Sequence, residues 1–533
     1  MISSIKQTVH QLSILILLIF SFSVSYANDC NIDILHYHLK VEVTIAQKYI
    51  EGSNEIQFKV LKETKSVQLH LYENLHIDSI VHRGNKLCFT RDSNKVNIYF
   101  NEGLRKKTIQ TLKVFYHGIP TIAKHAPWDG GFVWSKDSLN NDWVAVACQG
   151  KGGSLWWPCR EDPSDEPDSM KISITCPSNL MAVSNGTYLG STSCDSNTTY
   201  HWSIHYPINN YNVTLNIGKY AHLSDSLVRE DHSILPLDYY ILSYHKERAE
   251  VHFEQVQKIL ACFESYFSPY PFPNDGYALV ETPYWGMEHQ SAIAYGNDFK
   301  NNLGPFDFII AHESAHEWWG NSLTSCSNAE LWIHESFATY AESLLLEDYL
   351  GSEYALKYLL TQKQKILNEQ PMVKTTSSFE PEDTDIYYKG TWMLHTIRNV
   401  INNDHRWFRI IRKLARKKQH QIVSTGEIVH FISKRSRKRL TPIFNHFLYS
   451  TDIPTFQYTF YHKKNKLTIK YRWKNVSKKF RMPVWLEVNG KKILIPCQLK
   501  LKQKVLGEIS PHVVRVLKEN MYIDSEFLED TKR

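Results

Sequence analysis

The stretch His312-Glu313-Ser314-Ala315-His316, followed by Glu335, constrains this chain more than any other. Two histidines four apart on a helix project from one face, one turn above the other. Neutral imidazole is a good zinc ligand, and such a pair supplies two of the three protein bonds of a catalytic zinc. Glu313 is one position past the first histidine. It is too far round the helix to be the third ligand, but placed to act as a base toward water at the metal. Eighteen residues separate His316 from Glu335, enough to end one helix, turn, and bring up a carboxylate on a second.

The flanking residues fit that geometry. Gly304-Pro305 is expected to open the first helix and Gly320-Asn321 to close it. Ser327-Asn328-Ala329-Glu330 reads as a capping box for a second helix running to Gly351, with Glu335 in its second turn. An H-E-x-x-H alone is a weak signal, because helices carry chance histidine pairs on solvated faces. The third acid and the helical punctuation favour zinc over such a face.

The chain has 533 residues, too many for one core. Lys6 gives a basic start, Leu12 to Val24 is apolar, and Ser25-Tyr26-Ala27 places small residues where a leader would be cut. Residues 1–27 therefore read as a signal peptide of an exported protein, secreted or periplasmic, with a retained N-terminal anchor as the alternative. No later stretch is long and apolar enough to span a membrane. Nine cysteines are scattered without any C-x-x-C, which excludes a structural zinc knuckle; Cys176 and Cys194 are one candidate pair. The net charge of +6 gathers in runs Arg412 to Lys418, Lys434 to Arg439 and Lys463 to Lys479. These read as solvated faces rather than a nucleic-acid or anionic-surface patch, since no base-reading motif accompanies them.

Residues 28–235 alternate apolar and polar at period two, as in Leu39-Val41-Val43, Val67-Leu69-Leu71, Val96-Ile98-Phe100 and Leu112-Val114-Tyr116. That pattern predicts a large antiparallel β domain. Asn185, Asn197, Asn212 and Asn475 head N-x-Ser/Thr sequons. Residues 236–450 turn to helical periods and hold the metal motif. From 451 to 533 alternation returns, with Asn489-Gly490 as a two-residue hairpin turn, predicting a small β-sandwich. The fold class is multidomain α+β.

The combination Gly286-Met287-Glu288, His312-Glu313-x-x-His316 with Glu335, and Tyr387-Tyr388-Lys389-Gly390 closely resembles the zinc aminopeptidases of the aminopeptidase N and leukotriene hydrolase family. The likeness extends to Trp318-Trp319-Gly320-Asn321 and Trp332-Ile333-His334-Glu335, and more loosely to Cys148-Gln149 and Pro158-Cys159. It implies an N-terminal β-saddle, a thermolysin-like catalytic domain and a C-terminal β-sandwich, with one zinc per chain. It also implies that Glu288 binds the α-amino group of a peptide in a loop shared with Gly286 and Met287. Gln149 would help fix that terminus, and Tyr387 would stabilise the oxyanion; spacing alone does not choose between Tyr387 and Tyr388. His289, His334 and Ser336 stand where the family more often has Asn, Asn and Gly. Glu342, on the same helix face as Glu335, is either a partner orienting a ligand histidine or a solvent-facing glutamate.

The resemblance implies an exported zinc aminopeptidase acting on peptides with a free N-terminus, with neither nucleic acid nor stable membrane insertion expected. The helical domain of longer relatives is expected to be absent and the cleft correspondingly open to longer peptides. A zinc endopeptidase, an inactive peptidase-fold binding protein and an epoxide hydrolase are the competing readings. An endopeptidase gains nothing from a carboxylate facing a free amine, which makes Glu288 the discriminating residue.

Overall fold

The computed structural model describes residues 31–374 and 384–529; the leader and Cys30 lie outside them. The N-terminal strands are built on the alternation seen in the sequence. Strand Ile32–Thr44 buries Tyr37, Leu39, Val41 and Val43 on one face. It lies at the centre of an eight-stranded sheet, antiparallel to Tyr49–Val60 and parallel to Ser169–Pro177. The sheet is thus antiparallel except at that one pairing among the expected β domain's long strands. A three-stranded sheet and a four-stranded sheet complete this region, and Gln149 follows the four-stranded sheet's strand Asp142–Ala147 directly.

The candidate disulfide does not form. Cys176 pairs with Thr198 and Cys194 with Asn197 on the strand between them, Asn197–Ile204. Two strand spacings, about 9 to 10 Å, separate them, beyond the roughly 7 Å that a disulfide tolerates between Cα atoms. All the cysteines among the described residues are free.

A five-stranded sheet begins the catalytic region, in the order Tyr220–Val228, Ile234–Leu242, Tyr277–Glu281, Ile293–Tyr295, Gly286–Met287. It starts at Tyr220, ahead of the boundary expected at 235. Gly286–Met287 is an edge strand, pairing only with Ile293–Tyr295. Behind the sheet lie the motif helix Phe308–His316, the glutamate helix Trp332–Leu350 and the tyrosine helix Tyr388–Ile401. The motif helix starts later than Gly304-Pro305, because Asp307 caps it by accepting from the N–H groups of Ile309 and Ile310. Ser327 caps only a 3-10 turn, and Glu330 accepts from Thr425 N–H instead of closing the expected box.

The C-terminal strands form a four-stranded and a three-stranded sheet. Asn489 and Gly490 take φ of 50° and 74° at the hairpin between Val484–Val488 and Lys491–Ile495, as a primed turn requires. The apolar core runs without a break from the catalytic helices into these sheets, through Trp392, Ile397, Phe456, Trp473 and Ile523. The N-terminal region has its own core, which also takes in Tyr240, Ala278, Val280 and Ala292 of the five-stranded sheet and the turn beside it.

Asparagines stitch the two together. Asn209 Nδ2 donates to Gly320 O at 3.0 Å, Asn212 Nδ2 to Asn321 Oδ1 at 2.7 Å, and Asn185 Nδ2 to Gln290 O at 2.8 Å. The N-terminal region thereby grips the turn that follows the motif helix. Asn185 and Asn212 are fully buried, so neither sequon can carry a glycan in the folded chain, whereas Asn475 is exposed. Asn212→Ala leaves the Asn321 carbonyl oxygen without its donor, and should cost about 1 to 3 kcal/mol in urea unfolding. Asn475→Ala should stay within about 0.5 kcal/mol.

Candidate active site and metal centre

The motif helix is buried along nearly its whole length, so its two histidines cannot meet bulk water as a solvated pair would. Each ring is fixed through Nδ1. His312 Nδ1 donates to Glu342 Oε1 at 2.6 Å, and His316 Nδ1 donates to Trp319 O at 2.9 Å. Glu342 is itself held by Tyr358 OH and by Gln362 Nε2 at 3.2 Å, so it is the orienting partner and not a solvent-facing glutamate. With Nδ1 committed as donor, each Nε2 presents a lone pair, and the two Nε2 atoms face each other at 3.2 Å. Glu335 brings Oε2 to 3.5 Å from His312 Nε2 and 3.3 Å from His316 Nε2.

Three electron-rich atoms crowded this closely fit a metal. Ligands at about 2.0–2.1 Å in tetrahedral directions lie about 3.3 Å apart, the spacing this triangle has. Glu335 Oε2, buried, has no hydrogen-bond partner among the described residues. Glu313 also brings a carboxylate oxygen within 4.8 Å of a nitrogen of each ring, but Glu335 Oε2 is the oxygen found at ligand-edge spacing, 3.5 and 3.3 Å, from both Nε2 atoms. His312, His316 and Glu335 would therefore hold the ion, with Glu342 and Trp319 O setting the rings. Burial opposes charge on these imidazoles, yet Glu335 outweighs it and raises His316 to about 9 and His312 well above its ordinary value. Glu335 is buried too, but the imidazoles hold it far below the usual carboxylate range. The centre is built to attract positive charge.

A cleft of about 460 Å³ opens over this triangle, lined by Gln149, Gly286, Glu288, Glu313, Tyr387 and the ligands, among others. Glu288 is buried, with Oε1 accepting from Gln149 Nε2 at 3.0 Å and from Tyr211 OH at 3.2 Å. Gln149 Nε2 also reaches Glu335 Oε1 at 3.3 Å, linking the two carboxylates. Burial raises the pKa of Glu288, and pushes Glu313 up to about 7 against the pull of the imidazoles. A Cβ on Gly286 would stand 2.9 Å from Glu313 Oε1 and from Ile309, so only glycine lets the edge strand pass this close to the motif helix. Met287 does not line the cleft: its side chain packs with Ala145, Ala147, Tyr284 and Ala294, because neighbouring residues of a strand face opposite sides. His289 is buried and absent from the cleft wall, and burial lowers it to about 3, so it is a neutral core residue.

Of the two tyrosines, Tyr387 turns to the centre, its ring 6.1 Å from that of His312. Tyr388 turns to Lys365. Ser336 Oγ donates to Ile386 O at 2.6 Å, fixing the turn before Tyr387 to the glutamate helix. A Cβ on Gly390 would fall 1.7 Å from Ser336 Oγ, so Gly390 makes room for that serine. His334 accepts from Ser325 N–H through Nε2 and, buried, is lowered to about 3. Tyr211, Tyr358 and Gln362 were not legible beforehand: each acts through another side chain far off in sequence, and none belongs to a spaced motif.

Two histidines and a glutamate around one point, with two further glutamates on the same cleft wall, make up a centre of the metallopeptidase class. Residues 34–211 match the peptidase M1 N-terminal domain and residues 251–447 the peptidase family M1 domain. The chain belongs to the M1 family of zinc peptidases. It is 25% identical to glutamyl aminopeptidase of Bos taurus over 69% of this chain and 42% of that protein. It is 22% identical to endoplasmic reticulum aminopeptidase 1 of Rattus norvegicus over the same shares. The chain thus spans less than half the length of these curated relatives. An M1 zinc metallopeptidase from Deinococcus radiodurans superposes with a TM-score of 0.70, at 18% identity, covering 80% of this chain and 95% of that one. The expected multidomain α+β fold is what these structures share.

Glu342→Gln removes the charge that orients His312 and should weaken zinc binding about 10- to 100-fold in chelator competition. Gly390→Ala forces Ser336 aside and should destabilise the chain by about 1 to 3 kcal/mol; pairing it with Ser336→Gly should restore most of that in thermal unfolding.

Proposed function

We propose that the chain is an exported aminopeptidase that binds one zinc ion and removes N-terminal residues from peptides. The observation that carries the reading is Glu288: a buried carboxylate on the cleft wall, held by Gln149 and Tyr211 and linked through Gln149 to Glu335. Such a group is stabilised by an arriving ammonium, and in a partly dry cleft that attraction is strong. The amine end so held leaves the first peptide carbonyl over the His312, His316 and Glu335 triangle. Bound zinc supplies a Lewis acid that polarises that carbonyl and makes water a competent nucleophile near neutral pH. Glu313 takes the proton from the attacking water and passes it to the leaving amine. Tyr387 donates its phenol hydrogen to the carbonyl oxygen as charge builds there. The edge strand Gly286–Met287 offers backbone groups along which an extended substrate can lie. Export rests on the apolar leader and the small residues ending at Ala27.

The deciding assay compares alanine, leucine and arginine anilides with their N-acetylated forms. Free-amine substrates should turn over and acetylated ones should not; equal rates would leave an endopeptidase. Glu288→Ala should lower kcat/KM about 30- to 100-fold, a loss of about 2 to 3 kcal/mol. Glu313→Gln should abolish at least about 99% of kcat while zinc content, read by elemental analysis, stays at one per chain. Tyr387→Phe should cost about 3 to 4 kcal/mol of transition-state stabilisation. A chain that holds zinc yet cleaves no peptide would be a binding protein.

A further inference from the structure

Charge is unevenly spread along the cleft wall. Glu288, Glu313 and Glu335 gather about the metal triangle, and Glu342 is taken up by His312, Tyr358 and Gln362. Lys365, just beyond the helix Ser352–Lys363, is the one lysine or arginine among the described residues of that wall. Its ammonium is exposed and lies 4.9 Å over the ring of Tyr388, with the phenol oxygen at 3.4 Å; among the described residues no carboxylate pairs with it.

Its position along the substrate path follows from a chain of contacts. Glu288 is joined through Gln149 to Glu335. Tyr387 stacks toward His312, and the ring of Tyr388 lies 6.4 Å from that of Tyr387. The Lys365 ammonium is therefore within about 11 Å of the phenol that faces the reacting carbonyl, roughly three residues of extended chain. All of these groups line one cleft, so on the aminopeptidase reading a peptide whose amine sits on Glu288 and whose chain continues along the wall of Tyr387 and Tyr388 would bring later residues to Lys365.

We propose that Lys365 anchors a carboxylate two or three residues beyond the scissile bond, so that the cleft selects short peptides ending there or longer ones with an acidic residue at that place. The inference rests on the aminopeptidase reading for the direction of the substrate. The carboxylate has two sources, the peptide's own C-terminus and an aspartate or glutamate side chain, and both meet the same ammonium. Because Lys365 is solvated, the effect should be about two- to fivefold in affinity rather than all-or-none.

The test uses the full-length, zinc-loaded Glu313→Gln variant, so that peptides bind without turnover. Calorimetry compares tri- and tetrapeptides as free acids and C-terminal amides, and amidated pentapeptides carrying Asp or Asn at the third or fourth residue. Tighter binding of the free acid identifies the C-terminus as the ligand, and tighter binding of the Asp peptide identifies the side chain; either supports the proposal. Adding Lys365→Met should erase the preference, Lys365→Arg should retain it, and raising the salt concentration should shrink it. Equal binding of all forms, or a preference that survives Lys365→Met, overturns the proposal. N-acetylation of the same peptides tests the other reading separately: binding indifferent to acetylation removes the role of Glu288 while leaving the acid-against-amide comparison intact.

Discussion

Everything at this site depends on two hydrogen bonds that point away from the chemistry. By committing His312 Nδ1 to Glu342 and His316 Nδ1 to the Trp319 carbonyl, the fold turns both Nε2 lone pairs inward onto the buried oxygen of Glu335. Such an arrangement is repulsive unless a cation fills it. The cost of burying it is met by the surrounding helices, whose apolar faces leave the rings no other place to turn. Glu342 is doubly restrained by Tyr358 and Gln362, so the rotation of His312 is set by side chains of the helix Ser352–Lys363 on the same cleft wall.

Residues at fixed spacing on one element were legible in the sequence. The His312 and His316 pair, the returning Glu335, the period-two strands and the Asn489-Gly490 hairpin all follow from local geometry, which a sequence states directly. What local geometry cannot state is which side of a strand meets which neighbour. The family resemblance groups Met287 with Gly286 and Glu288 in one substrate loop, yet its side chain packs against Ala145, Ala147, Tyr284 and Ala294 and does not line the cleft. Cys176 and Cys194 share a sheet, but the strand between them cannot be inferred before the pairing order is known. Asp307, not Gly304-Pro305, caps the motif helix, since its carboxylate is the group within reach of the free N–H donors.

Departures from the family pattern are absorbed locally. Ser336 has a partner in the Ile386 carbonyl and its space from Gly390, while His334 accepts a backbone hydrogen bond at Ser325. Each substitution adds contacts behind the metal ligands rather than within the cleft. The glutamate helix and the turn before the tyrosine helix are consequently tied together at the level of the centre.

The asparagine seam has a further consequence. Glu288, just past the catalytic sheet's edge strand, and Gln149, just past the N-terminal strand Asp142–Ala147, come from regions with largely distinct apolar cores, joined beside the motif helix by Asn209, Asn212 and Asn185. If a peptide's amine is received there as proposed, the distance from chain end to cut is a ruler one of whose marks is held by two pieces, and their docking sets the length it measures.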